Sequence, residues 1–179
     1  MADQQKYTVK VSKKYGEAER LAIGLEVIDL IIERTAKGED KTNTKFSGYS
    51  DAYKNSFDFK LSGKGSTVNL NLSGEMLGAI EVLDVKGNGE IVIGIPKSDS
   101  ENNAKAEGNI KGTYGQKKPI KGKARDFMGI SRKDLKVIKD KYPIKTQAER
   151  DQTRFDALDL VLASEIATGL VDELGDSIG

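Results

Sequence analysis

The side chains of this 179-residue chain that could do chemistry are carboxylates, amines, guanidiniums, phenols and hydroxyls, because it has no cysteine and no histidine. Disulfides, thiolate zinc sites and thiol nucleophiles are thereby excluded. With histidine go the usual general base and the commonest transition-metal ligand. The segment Ser62-Gly63-Lys64-Gly65-Ser66-Thr67 looks at first like a phosphate loop. A phosphate loop needs two glycines five apart, a lysine and then a hydroxyl residue after the second, and a helix beyond. Here Gly65 follows Lys64 and strand-like residues follow, so the segment reads as a turn. Gly87-Asn88-Gly89 fails the dinucleotide fingerprint, since Val92 stands where a third glycine belongs. Asp99 and Glu101 lack the alternating ligands, central glycine and terminal glutamate of a calcium loop, and capping a helix is the better role for Asp99. Ser131 and Lys133 are joined by no motif that makes them nucleophile and base. The sequence therefore assigns no catalytic, cofactor-binding or metal-binding residue, and the chain reads as a non-enzyme that needs no cofactor.

What remains is charge. The totals nearly cancel, with 29 Lys and Arg against 28 Asp and Glu, so this is not a strongly basic nucleic-acid binder. The distribution is uneven. Residues 111–145 hold twelve basic and three acidic side chains, a net +9, whereas residues 146–179 hold two basic and eight acidic ones, a net −6. Within the first, Lys111, Lys117, Lys118, Lys121, Lys123 and Arg125 occur with no acid between them, and Gly112, Gly115, Pro119 and Gly122 make the stretch a loop. Within the second, Asp151, Asp159 and Glu173 lie on an acidic helical pattern. Either the acidic arm folds back on the basic segment of its own chain, or each meets a partner, or identical subunits pair loop to helix. These nine side chains are the candidate assembly contacts.

The elements that position them follow from periodicity. Tyr7, Val9 and Val11 alternate with polar residues as a half-buried strand does. From Glu17 to Lys37 the period becomes helical: Leu21, Leu25, Ile28 and Ile32 form a stripe, widened by Ile23, Val27, Leu30 and Ile31, and Gly38 marks the stop. A short helix is expected near Ser50–Asn55. Strands are expected over Val68–Leu72, Ala79–Val85 and Glu90–Ile95, with Lys86-Gly87-Asn88-Gly89 as a hairpin turn and Ser73–Leu77 interrupting. Asp99 or Ser100 caps a helix running to about Tyr114, Ser131 caps another ending before Pro143, and Thr146 to about Leu174 reads as one long final helix. The fold class is α+β: an antiparallel sheet with a long N-terminal helix packed across it, extended loops and a long C-terminal helix. The domain spans residues 1–145 and a helical arm spans 146–179. The stretch from Leu21 to Ile32 is broken by Gly24, Glu26 and Asp29, too short and polar to cross a bilayer, and the N-terminal residues lack a secretory signal's apolar core. A membrane partner is not expected.

Four segments, in order, resemble a known family. Phe46-Ser47-Gly48-Tyr49-Ser50-x-x-Tyr53 is followed by Val68-Asn69-Leu70-Asn71-Leu72-Ser73-Gly74-Glu75-Met76-Leu77, then Gly112-Thr113-Tyr114-Gly115, then Ala124-Arg125-Asp126-Phe127-Met128-Gly129-Ile130-Ser131. Together they are similar to the signatures of tailed-bacteriophage neck and tail-completion proteins, over the stretch from Phe46 to Lys141. Asp126 stands where that family has proline, Asn69 stands where it has an acid, and the final helix has no counterpart in it. The resemblance implies a structural virion protein made in the host cytoplasm and built into the neck or tail. It would form a homo-oligomeric ring between connector or adaptor proteins and tail-tube or tail-terminator proteins, with room for DNA in the lumen. The motif residues Tyr49, Tyr53, Gly74, Met76, Leu77, Arg125, Phe127, Met128 and Gly129 are expected to serve folding, with Arg125 bonding a carboxylate or carbonyl. The alternative is a nucleic-acid-binding accessory domain that lays the loop of residues 111–125 on phosphates.

Overall fold

The computed structural model describes residues 3–61, 63, 65, 67–70, 74–113, 118–120, 122–149 and 151–152. The chain divides into two compact units, Met1–Tyr142 and Pro143–Gly179. The first is α+β, as expected. Its strands β1 (Lys6–Lys10), β2 (Glu81–Val85) and β3 (Glu90–Gly94) form an antiparallel sheet in the order β1-β3-β2. Alternation sets the faces: Val9, Ile91 and Ile93 are buried, while Lys6, Thr8 and Lys10 are exposed. The β2–β3 turn depends on Gly89, whose φ is +88° and whose missing side chain would lie 2.5 Å from the Val11 carbonyl. That carbonyl's residue donates its own N–H to Gly89 at 2.9 Å, which ties the hairpin to the end of β1. A register shift between Val82 and Asp84 puts a bulge in edge strand β2, a device that discourages pairing with another chain.

The strand expected over Val68–Leu72 is corrected. Residues 68–70 form no strand, and β1 supplies the third member of the sheet. Leu70 has φ +53°, a left-handed conformation that stops an extended run. Val68 is nonetheless buried, so the alternation recorded a connector that buries one side chain. Helix α4 (Glu75–Gly78) follows, entered through Gly74 at φ +81°, and turns Met76 and Leu77 inward as expected.

Helix α1 (Glu17–Ala36) is entered through Gly16, whose N–H donates to the Glu19 carboxylate, and it ends two residues before Gly38, which takes φ +80°. It lies directly on β2 and β3 at Gly24, where an added Cβ would sit 2.9 Å from Val82 and 3.0 Å from Ile91. The closest approach fixes the helix phase. Ile23, Val27 and Ile31 are fully buried, while Leu21 and Leu25 are 43% and 51% exposed. The expected stripe through Leu21 and Leu25 is therefore corrected. It points roughly 140° round the helix from the buried row, at 100° per residue, and only Ile28 of its buried end enters the core.

Short helices α2 (Asp51–Lys54) and α3 (Phe57–Leu61) precede α4. Helix α2 is the one expected near Ser50, whose hydroxyl accepts from the Tyr53 N–H at 3.2 Å. Helix α5 (Ser100–Lys111) is capped by Asp99, which accepts from the Asn102 N–H at 3.0 Å, and stops at Gly112 with φ +70°. Helix α6 (Arg132–Lys141) is capped by Ser131, as its sequence indicates. In the second unit, Thr146 and Glu149 bond each other's backbone N–H groups in a reciprocal cap, and residues 147–149 and 151–152 are helical. The remainder of the expected final helix, with Asp159 and Glu173, lies outside the described residues. Among the described residues no helix is long and apolar enough to cross a membrane.

Candidate functional site

The basic loop begins where α5 ends. Gly112 brings the two ends of the loop together, because an added Cβ would lie 2.7 Å from the Ala124 nitrogen. Three backbone bonds hold that crossing: Ile120 N–H to the Gly112 carbonyl at 2.9 Å, Lys123 N–H to Ile120 at 3.0 Å, and Arg125 N–H to Asn109 at 2.8 Å. The loop thus leaves and returns at one point, as Ω-type loops do. Two side-chain bonds fasten its root to residues 47–48: the Ser47 hydroxyl donates to the Gly122 carbonyl, and the Lys123 ammonium donates to the Gly48 carbonyl at 2.6 Å. Gly112→Ala should cost about 1–2 kcal/mol for the left-handed conformation and more for the clash. Gly122→Ala, with φ +69° but open space around it, should cost only the former. Urea midpoints compare the two, and equal losses would contradict the close approach.

The candidate lysines are not equivalent. The Lys111 ammonium bonds Glu107, and that hydrogen bond and charge raise its pKa. Lys123 is half-buried at the root, and Lys118 is exposed beside Ile120, which is 39% exposed. Lys117 and Lys121 lie outside the described residues. Asp151 is exposed and accepts from Gln147 at 2.9 Å within the second unit. Arg125 is buried, and its guanidinium stands 5.4 Å from the centre of the Tyr49 ring, a cation–π stack that the sequence reading did not anticipate. Tyr49, Tyr53 and Phe59 form a mutually packed trio with centroids 5.2–5.4 Å apart. Burial raises the Tyr49 phenol's pKa, partly offset by the Asn69 backbone and the Arg125 charge. Phe127 and Met128 are buried, as expected, and Gly129 takes φ +135° with the Tyr7 ring 3.3 Å from where its Cβ would be.

Two structural residues were missed. Arg34, 2% exposed in the last turn of α1, donates to the Phe127 carbonyl at 2.8 Å and to the Gly129 carbonyl at 2.6 Å. It continues the Val27–Ile31 row, so the correct helix phase would have marked it. Asn103 accepts from the Gln5 N–H at 2.7 Å and donates to the Pro96 and Asp99 carbonyls at 2.8 Å, joining β1, the end of β3 and α5. Nothing in the sequence distinguishes it from Asn102 beside it.

Burial lowers the Arg34 pKa, opposed by the charges of Asp134, Asp40, Glu39 and Asp126. Burial works against ionising Asp40, but hydrogen bonds from Thr42 and Thr44 and the Arg34 charge outweigh it and hold its carboxyl below the usual range. The same balance holds Asp134 low, through Ser131, Asn43 and Arg34. Carboxyls depressed in the folded state contribute stability that is present above the unfolded value near about 4 and is lost as pH falls through the folded values. Denaturation midpoints should fall on acidification below about pH 4. Asp40→Asn with Asp134→Asn should flatten that limb, and an unchanged limb would remove these groups from the account.

Chemically, the arrangement fastens the root of a cationic loop to Gly48 and Asn109 and leaves Lys118 and Ile120 exposed, with Tyr49, Arg125, Phe127 and Met128 buried. No family model, no curated protein and no solved structure matches this chain.

Proposed function

We propose that this chain is a structural virion protein of the phage head–tail interface, a subunit of a ring in the neck or at the top of the tail that joins connector to tail. The observation that carries the reading is the convergence of segments far apart in sequence. Tyr49 of the first resemblance segment meets Arg125 of the last, and Met76 of the second lies 3.8 Å from Asn109, whose carbonyl binds Arg125. The first and last segments thus meet directly, the second reaches the last through Asn109, and Gly112 of the third lies against Ala124 at the root of the basic loop. The work of such a subunit is association rather than catalysis. Its partners are copies of itself, then the adjoining connector or adaptor and tail-tube or tail-terminator proteins, with DNA in the lumen. Its place is the virion, after assembly in the host cytoplasm. A ring needs contacts between unlike patches that close on themselves, and a basic loop facing an acidic surface of the next subunit is such a pair.

The alternative reading, a nucleic-acid-binding accessory domain using the loop of residues 111–125, rests on its freedom from acid. Lys111 is engaged by Glu107, Lys123 by a carbonyl, and Arg125 is buried on Tyr49, which leaves fewer cations for phosphates. Its binding would weaken steeply with salt. The genes flanking this one test the leading reading: portal, adaptor and tail-tube genes are the expected neighbours. A metabolic neighbourhood, with salt-sensitive DNA binding by the purified chain, would overturn it.

A further inference from the structure

Strand β1 ends the sheet, hydrogen-bonded to β3 along one side. The Val11 N–H bonds the Gly89 carbonyl at 2.9 Å, and the Ile95 N–H bonds the Gln5 carbonyl at 3.0 Å. Odd-numbered residues therefore turn their backbone groups to β3, and Lys6, Thr8 and Lys10 turn theirs outward. Among the described residues none bonds those outward N–H and carbonyl groups, and all three residues are exposed. The pairing of β1 with β3 runs without a register shift, so this edge is regular. A regular edge with outward backbone groups is a template for one more strand. The other edge, β2, is broken by the bulge between Val82 and Asp84.

The side chains on that edge choose what can be added. Lys6, Thr8 and Lys10 share the outer face of the sheet, since Tyr7 and Val9 between them pack into the core. Residues 4–16 contain four lysines and no acid. The Lys10 ammonium is 3.5 Å from the Glu90 carboxylate, yet its side chain remains 78% exposed. A second copy of β1 laid antiparallel about Thr8 would set Lys6 opposite Lys10, and like charges directly opposite repel. A second copy's β2 offers Glu81 and Asp84, but its bulge breaks the ladder. A strand with carboxylates at alternate positions meets neither obstacle, because it takes up the backbone groups and sets acid against lysine. We propose that the β1 edge is the site where an extended acidic segment of another protein adds as an antiparallel fourth strand. Antiparallel order continues the sheet, and its pairs are the more stable per residue. Bonds to Lys6, Thr8 and Lys10 supply affinity, and the lysines supply selection. The contact goes beyond the ring reading and does not depend on it, because neither the basic loop nor the acidic arm takes part.

The test is binding of fluorescein-labelled peptides to the full chain, read by anisotropy at low salt. One peptide alternates glutamate with valine, a second has the same composition without alternation, and a third alternates lysine with valine. The first should bind roughly tenfold or more tightly than either of the others. In the added strand the glutamates lie opposite Lys6, Thr8 and Lys10 and donate their N–H groups, while the valine N–H groups face away. N-methylation at the glutamates should therefore abolish binding, and N-methylation at the valines should preserve it. Thr8→Pro removes an outward N–H that β3 does not use, so the sheet should tolerate it while binding falls roughly tenfold or more. Lys6→Glu with Lys10→Glu should switch the preference from the glutamate peptide to the lysine peptide. Circular dichroism checks both variants, and if Thr8→Pro is unfolded the methylated peptides decide in its place. If the glutamate peptide does not bind, or methylating its glutamates changes nothing, the proposal falls. It falls equally if a folded Thr8→Pro protein binds as the parent does, or if the doubly reversed form keeps the parent's preference. None of these results bears on whether the chain forms rings.

Discussion

An aspartate at Ile31 should unfold the protein or drive it into aggregates, whereas an aspartate at Leu25 should leave it folded. Ile31 is fully buried in the row that α1 lays on the sheet, while Leu25 is 51% exposed on the same helix. A carboxylate at Ile31 is desolvated in the cluster that holds Val27, Ile91 and Ile93, and the Arg34 guanidinium one turn on is already drawn to the Phe127 and Gly129 carbonyls, so the substitution costs several kcal/mol, roughly 3–5. That is a large part of the roughly 5–15 kcal/mol that holds a domain together. Ile28→Asp, 7% exposed at the margin of that row, should behave like Ile31→Asp. Soluble yield and far-ultraviolet circular dichroism read the outcome. A folded Ile31→Asp protein, or an unfolded Leu25→Asp protein, would mean that α1 meets the sheet in another phase.

The contrast shows what the sequence could and could not convey. The extent of α1 was legible, because helical periodicity and Gly38 mark it, but its phase was not. Eight apolar positions run almost round the helix, and Gly24 decides which of them face inward. A glycine read from sequence is only a break in a pattern, whereas in the fold it is the point where helix backbone approaches Val82 and Ile91. The hairpin at residues 86–89 was legible because glycine and asparagine have a local reason to be there. Val68–Leu72 differs from expectation because alternation alone does not distinguish a strand from a connector that buries a single side chain, Val68. For the candidate site, the loop and the burial of Phe127 and Met128 could be read directly. The stack of Arg125 on Tyr49 and the reach of Arg34 to Phe127 and Gly129 could not, because each joins residues more than seventy positions apart.

Arg34→Met should lower stability by about 3 kcal/mol or more, from two buried carbonyls left unpaired at about 1–3 kcal/mol each. The loss also removes the positive charge that balances Asp40 and Asp134, so the acid dependence of stability should change with it. The guanidinium's own burial tempers the effect, since its Nε and Nη1 find no hydrogen-bond partner among the described residues. Arg34→Lys keeps the charge with a shorter reach and should recover part of the loss. Urea denaturation at neutral pH measures all three proteins. A methionine variant as stable as the parent would show that the turn over residues 127–129 is held by its apolar packing alone.

The central claim is that this chain works by associating with itself in a closed arrangement. Electron microscopy of the purified full chain at micromolar concentration tests it most directly. Class averages should show rings of one size, and raising salt should reduce their number without abolishing them. Exposed ion pairs contribute only about 0.2–1 kcal/mol each and are screened, while apolar contacts are not. A field of single subunits at every concentration and salt would contradict the claim.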